Sequence, residues 1–475
     1  MDNTIRTQLV VIGSGPGGYT AAFRAADLGI SVTLVDKDSS LGGVCLNRGC
    51  IPSKSLLHIS KIINQAKHSS DIGIKFNNPK IDIDKIHKWK NKIINNLNNG
   101  IASLAKARKI NVINGTANFL SANELSIVDN QQKTISLIFD NCIIATGSKS
   151  SIIPTLNKKH PSILYSKDAL NFKNVPDRLL VIGGGYIGLE LATVFNSLGS
   201  KVTIAEFLPS LLSMVDEDLM KPLVDKFNNS CENIYLSTEV TSLMPQSDNS
   251  VVVSFKQNDK EFKDVYDSVL ICAGRTPNVE NLNLGKAGIQ LNKKGFIPVN
   301  QQRRTLIPNI YAIGDVTGDP MLAHKASHEG KIAAEVIAGE NSIYDPIAIP
   351  SVIYTSPEIA WAGLTEKELN EQSIEYNKAE FPWSANGKAM TINATEGKTK
   401  ILTNLDKTQI LGIGIVGDNA GDLISEAMLA LEMNAIPEDI GMTIHPHPTL
   451  SETMANASEI LTGSITELYI PKKII

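Results

Sequence analysis

The chain is poor in cysteine, with five in 475 residues. That excludes a disulfide-stapled secreted scaffold and points to a reducing compartment. It lacks any run of about 18 apolar residues, so no membrane-spanning helix is expected. It also lacks a basic block, and its formal net charge is −4. The electrostatic footprint of a nucleic-acid binder is therefore missing. The opening stretch MDNTIRTQLVVIGSG runs almost directly into an apolar strand. It shows neither a signal peptide nor an Arg/Ser-rich transit pattern, and a cytoplasmic location is expected. What is present is 42% hydrophobic and 20% charged residues, the balance of a soluble globular protein. The length predicts two to four domains.

The stretch TQLVVIGSGPGGYTAAFRAADLGISVTLVDK carries the first chemical signal. A strand-like run from Leu9 to Ile12 leads into Gly13, Gly15 and Gly18 in GxGxxG register. A helix-compatible segment follows, then a second strand from Ser31 to Val35, ending at Asp36. Glycine allows the tight turn, the approach of backbone to a pyrophosphate, and close helix–strand packing. The helix N-terminus turns unpaired N–H groups toward the phosphates. Asp36 can accept hydrogen bonds from a ribose diol. GxGxxG alone is a weak motif; its strand, turn, helix, strand and acid order makes it specific.

The pattern recurs in DRLLVIGGGYIGLELATVFNSLGSKVTIAEF, with Gly183, Gly185 and Gly188 and an acidic end at Glu206. The distance from Gly183 to Glu206 equals that from Gly13 to Asp36. A carboxylate there welcomes the 2′-hydroxyl of NAD and repels the 2′-phosphate of NADP. No arginine lies in the following EFLPSLLSM, so the second unit is expected to take NAD.

Three further stretches read as apolar strands with a glycine- or acid-bearing end, and look like returns to the first unit. FDNCIIATGS ends at Thr146–Gly147, YDSVLICAGRTPN at Gly274, and NIYAIGDVTG at Asp315. Strand ends are where open α/β sheets bind ligands. From about Asp345 the texture changes. TKILTNLDKTQILGIGIVG reads as a β-hairpin. DLISEAMLALEMN reads as an amphipathic helix with Leu423, Ile424, Ala427, Leu431 and Met433 on its apolar face.

Cys142, Cys231 and Cys272 are scattered, and the first and last lie in apolar strands. Cys45 and Cys50, in GGVCLNRGCIPSK, stand apart. Packing, metal ligation and a redox pair are all open on this spacing. Metal is disfavoured, because His58 is the only histidine nearby and structural zinc takes four ligands. A disulfide needs Cα atoms within roughly 7 Å. An unbroken helix rises about 7.5 Å over five residues. Closure would therefore require a distortion, which Gly49 can supply, with Pro52 suited to a helix start after it.

Taken together, GGVCLNRGCIPSK, the two GxGxxG units, ATG, AIGD and the C-terminal HPHPTLSE resemble the pyridine nucleotide–disulfide oxidoreductases over essentially the full length. Within them the chain is similar to the members that oxidise dihydrolipoamide. The resemblance implies an α/β fold of two Rossmann-like domains, binding FAD and NAD, and a C-terminal α+β dimerisation domain. The expected boundaries are 1–150 for the first part of the FAD domain, 151–274 for the NAD domain, 275–346 for the second FAD part, and 347–475 for dimerisation.

The same resemblance assigns residues. Cys45 would form the mixed disulfide with lipoamide, and Cys50 would be the thiolate beside the flavin. Lys54 would lie near the flavin, paired with Glu190 of YIGLE. Gly43, Ala117, Thr146, Gly147, Met321, Ala323 and His324 would touch FAD. Asp36 would hold its adenosine ribose and Asp315 its middle. Val240 and Gly274 would join the NAD site. His447 would be the general base, oriented by Glu452, and would serve the partner subunit's disulfide. Such a base is needed because the substrate thiol is mostly protonated near neutral pH. The implied partners are a second copy of the chain, and the lipoyl domains and acyltransferase core of 2-oxo acid dehydrogenase or glycine-cleavage complexes.

The chain departs from the family pattern at Asp36, where Glu is usual, at Pro446, and at Arg48, where a small apolar residue is frequent. The fixed charge of Arg48, between the cysteines, is expected to favour the thiolate. One alternative is a glutathione-reductase-like enzyme, which Glu206 argues against. Another is a mainly structural subunit, which would have little reason to keep Cys45, Cys50, Lys54, His447 and Glu452 together. No metal is implied.

Overall fold

A computed structural model describes residues 4–77 and 79–469 of the chain. Its first sheet grows from the apolar run at the N-terminus. Strand Thr4–Ile12 pairs in parallel with Val32–Asp36 on one side and with Thr134–Ile144 on the other. Leu9, Val10 and Val11 are fully buried, as strands covered on both faces must be. An antiparallel segment, Asn111–Ser121 with Glu124–Asp129, links Val32–Asp36 back to Thr134–Ile144 and closes a ring of strands. Ile310–Ala312 returns from far along the chain to pair with Thr134–Ile144.

Helix Pro16–Asp27 follows the first strand, with Pro16 at its first position. It packs against helix Ala323–Ile337 through small residues. A Cβ on Gly330 would stand 2.6 Å from the Gly17 carbonyl oxygen, so the two backbones touch where neither residue has a side chain. This contact brings the Asp315 segment back over the first glycine turn.

The second sheet is parallel throughout, in the order Asn233–Tyr235, Lys201–Ala205, Arg178–Ile182, Ser268–Ile271, Ile163–Tyr165. The strand leading to Gly274 therefore belongs here and not to the first sheet, a correction to the sequence reading. It forms β-pairs with Arg178–Ile182 and Ile163–Tyr165, and its Val269 and Leu270 are fully buried. A three-stranded meander, Thr238–Gln257 continued by Lys260–Tyr266, covers one side. The two sheet units are joined by crossing segments, Ser148–Ser150 paired antiparallel with Arg275–Pro277.

The C-terminal part is a five-stranded antiparallel sheet from Ser351–Ile353 to Asn377–Pro382. The expected hairpin is present as Lys398–Thr403 with Ile410–Gly417. The expected helix is Ala420–Glu432, with Ile424, Ala427 and Leu431 buried. Met433 is 71% exposed, because it lies past the last helical residue and leaves the apolar face. Leu429, Met442 and Ile444 are also largely exposed, with Ile444 at 96%. Among the described residues no helix is long and apolar enough to cross a membrane.

Candidate active site

The two glycine turns are built alike. Gly13 and Gly183 take φ of +103° and +104°, a region that L side chains rarely adopt. A Cβ on Gly18 would stand 1.8 Å from the Gly13 carbonyl oxygen, and one on Gly188 would stand 2.2 Å from that of Gly183. These third glycines let helix meet turn. They do not line the cavities. Gly15 and Gly185 are different: a Cβ on either would meet nothing within 4 Å. Each stands open at a helix N-terminus, where N–H groups have no intrahelical partner.

Around the first turn lies a cavity of about 410 Å³. It gathers Gly13, Gly15, Asp36, Gly43, Cys45, Cys50, Lys54, Ala117, Thr146, Gly147, Glu190, Asp315, Met321 and Ala323 from distant parts of the chain. Asp36 accepts from the Ser14 N–H and hydroxyl with one oxygen and from the Asp38 N–H with the other. His324 does not line the cavity; its Nε2 lies 2.8 Å from the Pro350 carbonyl oxygen.

A second cavity, of about 430 Å³, surrounds Gly183, Gly185, Glu206, Val240 and Gly274. Glu206 accepts from the N–H groups of Gly184 at 2.5 Å and Leu208 at 2.7 Å. Among the described residues lining it there is no lysine or arginine. A 2′-phosphate would meet a carboxylate and no cation.

The cysteines sit on two helices separated by a kink. Helix Gly43–Arg48 ends at Gly49, whose φ and ψ are −141° and −106°, and helix Cys50–His68 starts immediately after it. A Cβ on Gly49 would lie 3.1 Å from the Val44 carbonyl oxygen, so the glycine also allows the close turn. Pro52 occupies the first turn, as the sequence indicated. Cys45 and Cys50 face each other across this kink, close enough for the two thiols to share a proton.

That contact splits their acidity. The hydrogen bond from Cys45 lowers the Cys50 thiol to about 7, assisted by the charge of Lys54 and opposed by burial and Glu190. Cys45, the donor, is pushed well above the ordinary thiol range by the same bond and by burial. Lys54 lies one helical turn after Cys50, on the same face. Its Nζ reaches Glu190 Oε1 and Oε2 at 3.0 and 2.9 Å.

Arg48 turns away from this pair. Its guanidinium binds the carboxylate of Asp38, two residues from Asp36. The expectation that Arg48 favours the thiolate is therefore corrected: Lys54 is the cation that acts on Cys50.

His447 is exposed on its side chain to 78%, and its Nδ1 lies 2.8 Å from Glu452 Oε1. The second oxygen of Glu452 accepts from the Thr449 N–H at 2.7 Å. Neither residue lines the cysteine cavity of its own chain.

The sequence reading passed over four residues. Ser148 donates its hydroxyl proton to Asp315, and Arg275 donates to Ser148 Oγ at 2.8 Å. Each directly follows a glycine the sequence had marked, Gly147 and Gly274. Tyr186 lines the cavity at the end of the second glycine turn. Tyr354 reaches the Lys54–Glu190 pair from the C-terminal sheet, with no local signal.

Two dinucleotide cavities and a dithiol against the first of them define a flavin- and nicotinamide-dependent disulfide oxidoreductase. The chain belongs to the pyridine nucleotide-disulphide oxidoreductases: that family's model matches residues 7–330, and its dimerisation domain matches residues 349–458.

Relatives named dihydrolipoyl dehydrogenase match nearly end to end. One from Buchnera aphidicola subsp. Acyrthosiphon pisum is 48% identical over 98% of this chain and 98% of its own. One from Vibrio cholerae is 45% identical with the same coverage. Among solved structures, LpdA from Mycobacterium tuberculosis superposes with a TM-score of 0.89 at 25% identity, covering 96% of this chain and 99% of its own. The flavoprotein disulfide reductase RclA from Escherichia coli gives 0.85 at 26%, covering 96% and 100%. FAD and NAD are the cofactors of such an enzyme, and the residues fit both. Gly15 and Gly185 leave room where a pyrophosphate needs it, and Asp36 and Glu206 offer ribose acceptors.

Proposed function

We propose that the chain is a dihydrolipoyl dehydrogenase, oxidising protein-bound dihydrolipoamide to lipoamide. The observation that carries this reading is the Cys45/Cys50 pair lining the first dinucleotide cavity, with Lys54 one helical turn after Cys50 and held by Glu190.

In this reading the enzyme is a homodimer with shared sites, and the exposed apolar residues Leu429, Met433, Met442 and Ile444 support the pairing. His447 of the partner subunit takes a proton from one substrate thiol, and Glu452 holds its imidazole in one tautomer and stabilises the imidazolium. The substrate thiolate attacks Cys45 Sγ, the Cys45–Cys50 bond breaks, and Cys50 leaves as the thiolate. The second substrate thiol then attacks the mixed disulfide, releasing Cys45 and closing the lipoamide ring. The substrate is thereby oxidised and the cysteine pair reduced. FAD, which Gly15 and Asp36 would hold, would supply the two-electron acceptor for the dithiol and the hydride donor for NAD⁺. Lys54, held by Glu190, stabilises the leaving Cys50 thiolate throughout.

The units 1–150, 151–274, 275–346 and 347–475 serve FAD, NAD, FAD again and dimerisation. The lipoyl domains and acyltransferase core of 2-oxo acid dehydrogenase complexes, or the glycine-cleavage system, are the partners in this reading, and the cytoplasm its location. The test is direct. The purified protein should carry flavin absorbance and reduce NAD⁺ with dihydrolipoamide. Reduction of glutathione disulfide with NADPH in preference would replace this reading with the glutathione-reductase-like one.

A further inference from the structure

Lys54 has three N–H bonds, and two of them go to the oxygens of Glu190. The third is left for the face of Tyr354, whose ring centroid lies 4.4 Å from Nζ. The same residue donates its backbone N–H to Glu190 Oε1 at 3.2 Å. Tyr354 thus touches both members of the ion pair, one through its ring and one through its backbone. It comes from the C-terminal sheet, just after strand Ser351–Ile353, whereas Lys54 and Glu190 come from the first and second units. Behind the ring stands Gly421, where a Cβ would lie 3.4 Å from Tyr354 Cε1 and 2.9 Å from Val352 Cγ1. The ring is 37% exposed, with Gly421 leaving room on one side of it, so its backbone bond to Glu190 and its face toward Nζ are what place it.

We propose that Tyr354 is a positioning residue for the redox centre, fixing Lys54 over Glu190 so that the ammonium stays within reach of Cys50. This rests on the Cys45/Cys50 pair being the working dithiol. A lysine stem has four rotatable bonds, and a single carboxylate does not hold its head in one place. A cation over an aromatic face gains electrostatic attraction that an aliphatic side chain cannot offer. The ionisable groups facing the cysteines are Lys54, Glu190, Tyr186, Tyr354 and, on the Cys45 side, Tyr19. Lys54 is the cation of that set, while Arg48 and Arg275, which line the same cavity, are bound to Asp38 and Ser148. The position of Lys54 therefore adds to the Cys45 contact in setting how easily Cys50 ionises.

The experiment reads the thiol, not turnover. Reduced holoenzyme is alkylated with iodoacetamide across pH 5 to 10, and the Cys50 peptide is followed by mass spectrometry. Tyr354→Phe keeps the ring face and should titrate like the parent. Tyr354→Leu removes it, and the Cys50 midpoint should rise by about half a pH unit. A ring that merely filled space would be replaced by leucine without moving the thiol. If Tyr354→Leu is recovered without flavin, Tyr354→Met takes its place in the comparison. The proposal is overturned if the aliphatic variants titrate like the parent, or if Tyr354→Phe shifts as far as they do. A parent protein that alkylates as described but does not oxidise dihydrolipoamide would remove the functional reading and leave this one standing.

Discussion

Lys54 and Glu190, 136 residues apart, form a two-pronged ion pair that joins the first glycine-turn unit to the second. Glu190 is 4% exposed, and Lys54 is the cation that pairs its buried carboxylate. The two residues act on Cys50 in opposite senses, Lys54 lowering its pKa and Glu190 raising it. Lys54→Met should therefore move the Cys50 midpoint above 7, and Glu190→Gln should move it below. The size expected for losing one close charge is about one unit. Below its midpoint the thiol is protonated and unreactive; above it the thiolate reacts. Alkylation rate against pH reads both shifts. Equal shifts of one sign would show that the pair acts only as a structural strut.

The two kinds of glycine should separate in the laboratory. Gly15→Ala places its methyl in open space at a φ of −64°, a conformation alanine adopts. Its cost to folding should stay within about 1 kcal/mol, while flavin affinity falls roughly tenfold or more because the methyl occupies the phosphate approach. Gly18→Ala drives its methyl to 1.8 Å from the Gly13 carbonyl oxygen, and helix and turn must part. Its loss of stability should exceed about 3 kcal/mol. Urea unfolding and flavin titration of both variants distinguish a ligand-facing glycine from a packing glycine.

Much of the site could be read from the sequence because its signals are local. Gly13, Gly15 and Gly18 lie within one turn, and their spacing alone encodes a strand, a turn and a helix start. The kink at Gly49 followed from the geometry of five helical residues. What could not be read is what depends on meetings across the fold. Nothing near Arg48 marks Asp38 as its partner, so its charge was assigned to the nearest sequence neighbours, the cysteines. Tyr354 lies some 300 residues from Lys54 in sequence and meets it only after three units dock. The strand ending at Gly274 looked like its counterparts, and only β-pairing shows which sheet it joins. Met433 fell on the apolar face by periodicity but lies one residue past the helix.

The exposed His447 and its bond to Glu452 lead to a prediction about subunits. His447→Gln should lower dihydrolipoamide oxidation by about 10²- to 10⁴-fold, the usual contribution of a general base. Flavin content and Cys50 alkylation should not change, since neither residue lines the cysteine cavity of its own chain. Cys50→Ser should be equally inactive. Hybrids formed by refolding the two variants together should regain activity, because one of their two sites has both an intact dithiol and an intact base. Hybrids as inactive as the parent variants would place base and dithiol in the same subunit.

Arg48 supplies the sharpest test of the electrostatics. Its guanidinium binds Asp38, and the side-chain amide of Asn114 donates to the Asp38 carbonyl oxygen at 2.8 Å. Asp38 in turn gives its N–H to Asp36. Arg48 therefore ties the end of the first cysteine helix to the acidic turn at Asp36, at the far end of the cavity. Both members of the pair are about 30% exposed, and such pairs contribute on the order of 0.5–1 kcal/mol. Arg48→Val should cost no more than that, and should leave the Cys50 midpoint near 7, because the cation acting on the thiol is Lys54. The change should appear at the other end of the cavity, as flavin release a few-fold faster once the Asp36–Asp38 turn is untied. Stopped-flow release and the thiol titration, measured on the same preparation, separate the two ends. A raised midpoint with unchanged release would mean that the guanidinium leaves Asp38 for the thiolate.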